Sequence, residues 1–227
     1  MTPRNRPDLP SIAFRPRTAA TPARQWGMRP ALLALALLAL LAAALAPARV
    51  QAQAALARVG DPAPAFTLTA IDGRRMSLAD FKGKYVVLEW WNSDCYAINA
   101  HYQGGAMQAA QRRARSEGVV WLSIDSTHPG HPSFVDAKRT ASMLREWKAG
   151  QHAMLQDPDG RTGRAYGAMM TPHTFVIDPA GKLIYAGAID DQRNMRDVRK
   201  ARNLAFAAID EVRAGKPVSR PLTQAYG

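Results

Sequence analysis

Residues Tyr85–Cys95 read Tyr-Val-Val-Leu-Glu-Trp-Trp-Asn-Ser-Asp-Cys. The run Tyr85–Trp90 is β-branched and aromatic with one interruption, Glu89, which predicts a strand buried on both faces. After a short polar turn, Cys95 opens a stretch of helical spacing that reaches Ser116 and is broken at Gly104-Gly105, so a kinked or divided helix pair is expected. A thiol at the carboxyl end of a buried strand and in the first turn of a helix faces unpaired amide N–H groups and the positive end of the helix dipole. Both favour a thiolate. Cys95 is the only cysteine in the 227 residues, so no internal disulfide is available to it.

Upstream of this junction, Arg58–Pro64 is a proline-punctuated entry. Phe66–Thr69 alternates as a strand, and the Asp72-Gly73 turn makes it the first arm of a hairpin. Ser77-Leu78-Ala79-Asp80 carries a helix-start pattern that stops at Gly83. Downstream, Val119–Ile124 is a second buried strand, Thr127–Ser133 a loop, and Asp136–Ala149 an amphipathic helix with Met143, Leu144 and Trp147 inward. Ala153–Gln156 is a short strand, Asp157–Gly160 a turn, and Gly163–Gly167 a helical turn. Thr174–Ile177 and Leu183–Ala186 form a hairpin around Asp178–Gly181, and a long helix is expected over Arg199–Ala214, closed by Gly215 and Pro217. The tail Val218–Gly227 has no core-forming pattern. These elements specify an α/β fold: a central mixed β-sheet flanked by helices on both faces, with an N-terminal β-hairpin and an inserted helix.

The first fifty-two residues stand outside this pattern. Ala31–Ala46 is an uninterrupted Ala/Leu run preceded by Arg29 and followed by two small-x-small cleavage patterns, the second at Val50-Gln51-Ala52. Residues 31–52 therefore read as a signal peptide, cut after Ala52. As a helix, sixteen residues rise about 24 Å, short of the ~30 Å hydrocarbon core, so cleavage rather than permanent anchoring is expected. Residues 1–30 are a basic n-region expected to be disordered, with Met28 an alternative start; 53–57 are a linker, 58–217 the domain and 218–227 the tail. The protein is thus expected to be periplasmic or secreted, with membrane contact only through the signal segment, uncleaved chains being anchored by it. Net charge is +12, but residues 53–227 hold 23 basic and 17 acidic groups, with no run of five basic residues and no interleaved aromatics. That excludes a nucleic-acid footprint.

The stretches VGDPAPAFTL (59–68), SLADFKGKYVVLEWW (77–91), Asp157–Gly160, Arg164–Gly167, Thr171-Pro172 and FVIDPAGKL (175–183) occur in an order and spacing that resemble the alkyl hydroperoxide reductase/thiol-specific antioxidant (redoxin) branch of the thioredoxin superfamily, of exported bacterial type. The resemblance implies a thioredoxin-like fold, with Cys95 as the reactive thiol. It also implies a cis Thr171-Pro172 bond whose threonine offers backbone hydrogen bonds to substrate beside the sulfur. Asn92 and His173 fall near that site by position, and Glu89 is a carboxylate that could move the thiol's proton.

Four departures from the family pattern bear on mechanism. Ile98 stands where a Cys-x-x-Cys pair would have its second thiol, which rules out dithiol exchange within this sequence. Tyr96 replaces the usual proline after the cysteine. Asn92 and Leu88 stand where typical peroxiredoxins carry threonine or serine and proline. The expected activity is therefore that of an exported monothiol oxidoreductase. Cys95 attacks a peroxide or a protein disulfide, and an external thiol or thioredoxin-like donor regenerates it.

Two alternatives remain open at the level of sequence. One is a redox-silent module holding an extended peptide in the groove around Thr171-Pro172. The other is a copper carrier using Cys95 with His101 and His173, since thiolate with imidazole suits Cu(I). No cofactor is expected: there is no Gly-rich phosphate loop, and Asp157/Asp159 and Asp190/Asp191 read as turn residues. His128 and His131 read as solvated loop residues, and Glu89 as a carboxylate at a sheet edge or in an ion pair.

Overall fold

The computed structural model describes residues 56–227. The n-region, the signal peptide and most of the linker expected over residues 1–55 lie outside the described residues. Seven strands run in the spatial order β2-β1-β5-β4-β3-β6-β7. They are β1 (Thr67–Ala70), β2 (Arg75–Ser77), β3 (Val86–Trp90), β4 (Val120–Asp125), β5 (Ala153–Gln156), β6 (His173–Ile177) and β7 (Leu183–Gly187). The three central strands β3, β4 and β5 are parallel, while β6 and β1 flank them antiparallel, so the sheet is mixed as expected. The hairpin β1–β2 forms around Asp72-Gly73, where the Asp72 carboxylate accepts from the Arg74 amide.

Among the described residues a short 3-10 helix (Leu78–Phe81) and five α-helices complete the fold: α1 (Tyr96–Gln103), α2 (Ala106–Ser116), α3 (Ala137–Glu146), α4 (Arg161–Tyr166) and α5 (Leu204–Arg213). The break between α1 and α2 falls at Gly104-Gly105, where Gly105 adopts φ 78°. Along β3 the pleat divides the core. Val87 and Trp91 join Ile98, Tyr102, Met107, Trp121, Val176 and Phe206 in a cluster that buries the inner faces of α1, α2 and α5. Val86, Leu88 and Trp90 point the other way, into a smaller cluster with Phe66, Leu122, Phe175 and Tyr166 of α4. Helices thus cover both faces, with most of the helical mass on one.

Two sequence expectations are corrected. The last helix begins at Leu204 rather than Arg199, because Asn203 caps it by accepting from the Phe206 amide and because Asp191 holds the Arg202 amide outside the helix. The tail is not a free appendage. Pro221–Thr223 pairs with Ala186 at the outer edge of β7, Ala225 and Tyr226 are buried, and Tyr226 belongs to the larger core cluster. Its burial comes from two residues at the end of a polar stretch, with no periodicity to announce them.

Candidate active site

Cys95 is the N-cap of α1, with extended backbone (φ −73°, ψ 123°), and is half-buried. The turn leading into it is fixed by Asn92, whose Oδ1 accepts from the Asp94 amide at 2.8 Å, while its Nδ2 donates to Thr127 Oγ1 at 2.8 Å. Asn99 closes the turn from the helix side by donating to the carbonyls of Ser93 and Cys95. The helix N-terminus is therefore built where the sequence placed it. The sulfur, however, makes no capping bond to the amides of α1. It turns across to the opposite loop, where Sγ donates to the carbonyl oxygen of Thr171 at 2.7 Å.

Thr171 precedes Pro172 through a cis peptide bond. Thr171 and Pro172 thus lie against Cys95, as expected, and the threonine carbonyl is the group that meets the sulfur. A groove of about 490 Å³ opens beside this contact, lined among others by Trp90, Asn92, Thr127, Met169, Met170 and Thr171. Met169 projects from its rim, 87% exposed, and Tyr96 stands exposed on the first turn of α1.

His173 follows the cis proline and pairs in register with Trp90, the last residue of β3. Its ring stacks on Phe175 with centroids 4.4 Å apart, and its Nδ1 is buried without a partner. Burial lowers its pKa to about 4, so the ring is neutral at physiological pH and offers no positive charge to a thiolate. Among the described residues no titratable side chain hydrogen-bonds the Cys95 sulfur.

Glu89 lies neither at an edge nor in an ion pair. It is 0% exposed in the central strand, on the face that carries Val87 and Trp91. Trp121 Nε1 donates to its Oε2 at 2.7 Å, Ser123 Oγ donates to the same oxygen at 2.9 Å, and Tyr102 OH approaches Oε1 at 3.4 Å. Burial pushes its carboxyl above the ordinary range, and the Trp121 and Ser123 hydrogen bonds offset this only in part. It underpins the core beneath the site and does not touch the thiol.

His101 and Asp190, read from sequence as a candidate metal ligand and a turn residue, are a buried pair. His101 Nδ1 lies 2.7 Å from the Ala97 carbonyl and Nε2 lies 2.9 Å from Asp190 Oδ2. Both nitrogens face acceptors, so both carry protons and the ring is an imidazolium against a carboxylate. Burial alone would lower the histidine pKa, but the hydrogen bonds to Asp190 and Ala97 outweigh it and hold it above the ordinary value. Burial likewise works against Asp190, whose bonds from His101 and Tyr226 keep it below the ordinary range. With both nitrogens engaged, His101 has no lone pair for a metal, which removes the ligand set proposed for copper. His128 and His131 lie on the exposed loop, each accepting a backbone N–H at Nδ1.

Tyr226 is the residue that sequence reasoning missed. Its hydroxyl donates to Asp190 Oδ1 and its ring lies over His101, with centroids 6.3 Å apart. Gly227 follows directly, and a Cβ placed there would overlap the Thr171 carbonyl and lie 3.4 Å from Cys95 Sγ. An acidic pair just beyond a buried strand, with an aromatic close to the end of the sequence, was the available signal.

A half-buried cysteine at a helix start, opposite a cis-proline loop and at the carboxyl end of a central parallel strand, defines a protein of thioredoxin-like fold. Residues 59–186 match the AhpC/TSA family model, and the chain belongs to that family. Among relatives, peroxiredoxin tpx1 of Schizosaccharomyces pombe is 30% identical over 169 residues, covering 68% of this chain and 84% of the relative. Thiol-disulfide oxidoreductase ResA of Bacillus thuringiensis subsp. konkukian is 26% identical over 129 residues, covering 56% of this chain and 67% of the relative. An uncharacterized conserved protein of Geobacillus kaustophilus superposes with a TM-score of 0.65 at 24% identity, covering 74% of this chain and 88% of that structure. A hypothetical protein of Sinorhizobium meliloti 1021 does so at 0.64 with 22% identity, covering 75% and 92%. These two similarities speak for the fold.

Proposed function

We propose that this protein is an exported monothiol oxidoreductase with Cys95 as its nucleophile. The observation that carries the reading is the placement of the half-buried Cys95 sulfur at the N-terminus of α1, in contact with the carbonyl of Thr171. When the thiol gives up its proton, the sulfur lies at the positive end of α1, with no acidic residue in the first turn to oppose it. Against a peroxide, the sulfur attacks one oxygen, the O–O bond breaks, and the leaving alkoxide or hydroxide takes a proton to depart as alcohol or water. Cys95 is left as a sulfenic acid.

Against a disulfide, the sulfur forms a new S–S bond and expels the substrate's other thiolate. Ile98, where a second thiol would stand, has no sulfur and packs in the core, so neither adduct is resolved by that position. An external thiol releases Cys95: one equivalent forms a mixed disulfide with it, expelling water from the sulfenic acid or the substrate's second thiol from the disulfide adduct, and a second equivalent frees the cysteine as the donor becomes a disulfide. The groove beside Thr171, rimmed by Met169, suits an extended peptide and favours a protein disulfide as substrate. The relatives named peroxiredoxin and thiol-disulfide oxidoreductase support the two halves of this chemistry.

The decisive comparison is turnover by the wild-type chain and by Cys95→Ser, with added thiol, on hydrogen peroxide and on a peptide disulfide. Thiol-dependent turnover that Cys95→Ser abolishes is the expected result. Equal background rates would leave the groove as a peptide-binding surface with an inert thiol. Among the described residues no helix is long and apolar enough to cross a membrane. Export rests on the Ala31–Ala46 run.

A further inference from the structure

The groove of a thiol oxidoreductase must admit its substrate to two groups, the sulfur and the backbone beside the cis proline. In this protein a third segment lies close to both. Pro221–Gly227 follows α5, runs along the outer edge of β7 and comes to rest against Thr171 and Cys95. The Ala186 amide donates to the Pro221 carbonyl at 3.0 Å, and the Thr223 amide donates to the Ala186 carbonyl at 3.0 Å. Thr223 Oγ1 accepts from the Ala188 amide at 2.9 Å and lies 2.6 Å from the Tyr185 hydroxyl.

Two glycines make room for this course. Gly187 adopts φ 148°, and a Cβ there would collide with the backbone and hydroxyl of Thr223. Gly227 lies so close to the Thr171 carbonyl that a side chain would overlap it. Between them, the buried Tyr226 hydroxyl is fastened to Asp190, which is itself held by His101 of α1, the helix that Cys95 caps.

We propose that Pro221–Gly227 is an autoinhibitory strap, pinned by Tyr226, Asp190 and His101, which covers the Cys95 sulfur and the Thr171 carbonyl and must lift before substrate can reach either. Gly227 crowds the Thr171 carbonyl, so a peptide backbone approaching that oxygen has to displace it. Its hold is local: the β7 edge contacts are made upstream by Pro221–Thr223, and the hold beside the sulfur is the bond from Tyr226 to Asp190. Opening is therefore a small segmental motion, well short of unfolding the domain. The consequence for catalysis rests on the oxidoreductase reading, but the strap itself is tested by access to the sulfur alone.

The test is the rate at which iodoacetamide alkylates Cys95 in the native protein at fixed pH, compared with deletion of Tyr226 and Gly227 and with Tyr226→Phe. The deletion is expected to accelerate alkylation by about tenfold or more, the ratio that loss of one net hydrogen bond to a charged group corresponds to. Tyr226→Phe keeps the ring and loses that one bond to Asp190, so it too is expected to accelerate alkylation by about tenfold, with the deletion, which also removes the ring, faster still. Thermal melts establish that each variant is folded; should the deletion not fold, Tyr226→Phe decides alone. Equal alkylation rates in wild type and folded variants would overturn the strap. Faster alkylation in the variants with no reaction toward peroxide or disulfide would keep the strap and refute the oxidoreductase reading. Ready oxidation of the wild type, at the variants' rate, would do the reverse.

Discussion

Cys95 and Thr171, which lie 76 residues apart in sequence, meet through a single contact of 2.7 Å between Sγ and a main-chain carbonyl oxygen. A carbonyl accepts from a thiol and repels a thiolate, so this contact is one that only the protonated sulfur makes. The oxidoreductase chemistry proposed above requires that the proton leave and that the sulfur turn toward the amides of α1 or toward substrate. Under that proposal the sulfur's partner is the group a substrate backbone would use.

The His101–Asp190 pair is expected to hold the packing between α1 and the segment that follows β7. His101 is 1% and Asp190 4% exposed, so removing one partner leaves a buried charge uncompensated. Asp190→Asn should cost about 3 kcal/mol or more in unfolding free energy, measured in denaturant. The pH dependence has two arms. The histidine pKa is raised on folding, so its contribution is complete below the ordinary value of 6.5 and fades as pH rises through the folded-state pKa. The aspartate pKa is lowered, so its contribution is complete above 3.8 and fades as pH falls through the folded-state pKa. Wild type minus Asp190→Asn stability should therefore be greatest between these limits and shrink on either side.

Glu89 works in the opposite sense. Folding raises its pKa, so above pH 4.5 the unfolded chain binds fewer protons than the native one, and stability falls as pH rises toward the folded-state value. Glu89→Gln keeps an acceptor for Trp121 and Ser123 without the buried charge. Its melting temperature should decline less steeply with pH than that of wild type over this range. Glu89→Leu, by contrast, strands the Trp121 and Ser123 donors and should cost about 2 kcal/mol or more.

Export predicts a mature chain whose N-terminal sequence begins near Gln53, read by Edman degradation or mass spectrometry of protein recovered outside the cytoplasm. Recovery of the full chain from the membrane fraction would replace cleavage by anchoring.

The fold was legible because its decisive elements are coded locally. Tyr85–Trp90 and Val119–Ile124 are too apolar to be anything but interior strands, and Gly104-Gly105 marks the helix break directly. Thr171-Pro172 and Cys95 were found because motif order fixes them on opposite sides of one sheet end. What stayed hidden depends on contacts between residues remote in sequence. Asp190 looks like a turn residue until His101 and Tyr226 close on it, 89 and 36 residues away. Glu89 has no neighbour in sequence that reveals Trp121 and Ser123 as its donors, because they arrive on the parallel strand β4. The turn of the Cys95 sulfur away from the helix amides could not be read either, since a helix start alone does not say what lies opposite.

The most direct measurement is the intact mass of the native protein after brief exposure to hydrogen peroxide, with and without a sulfenic-acid trap, followed by addition of a small thiol. Cys95 as nucleophile predicts the gain of one oxygen atom, captured by the trap at Cys95, absent in Cys95→Ser, and reversed by the thiol without loss of fold. An unchanged mass under conditions that oxidise the same thiol in the denatured chain and in the folded variant lacking Tyr226 and Gly227 would mean that the strap stays shut in the free protein, and would contradict peroxide reduction by the wild-type chain. An unchanged mass in that variant as well would contradict the assignment of Cys95 as a peroxide-reactive thiol.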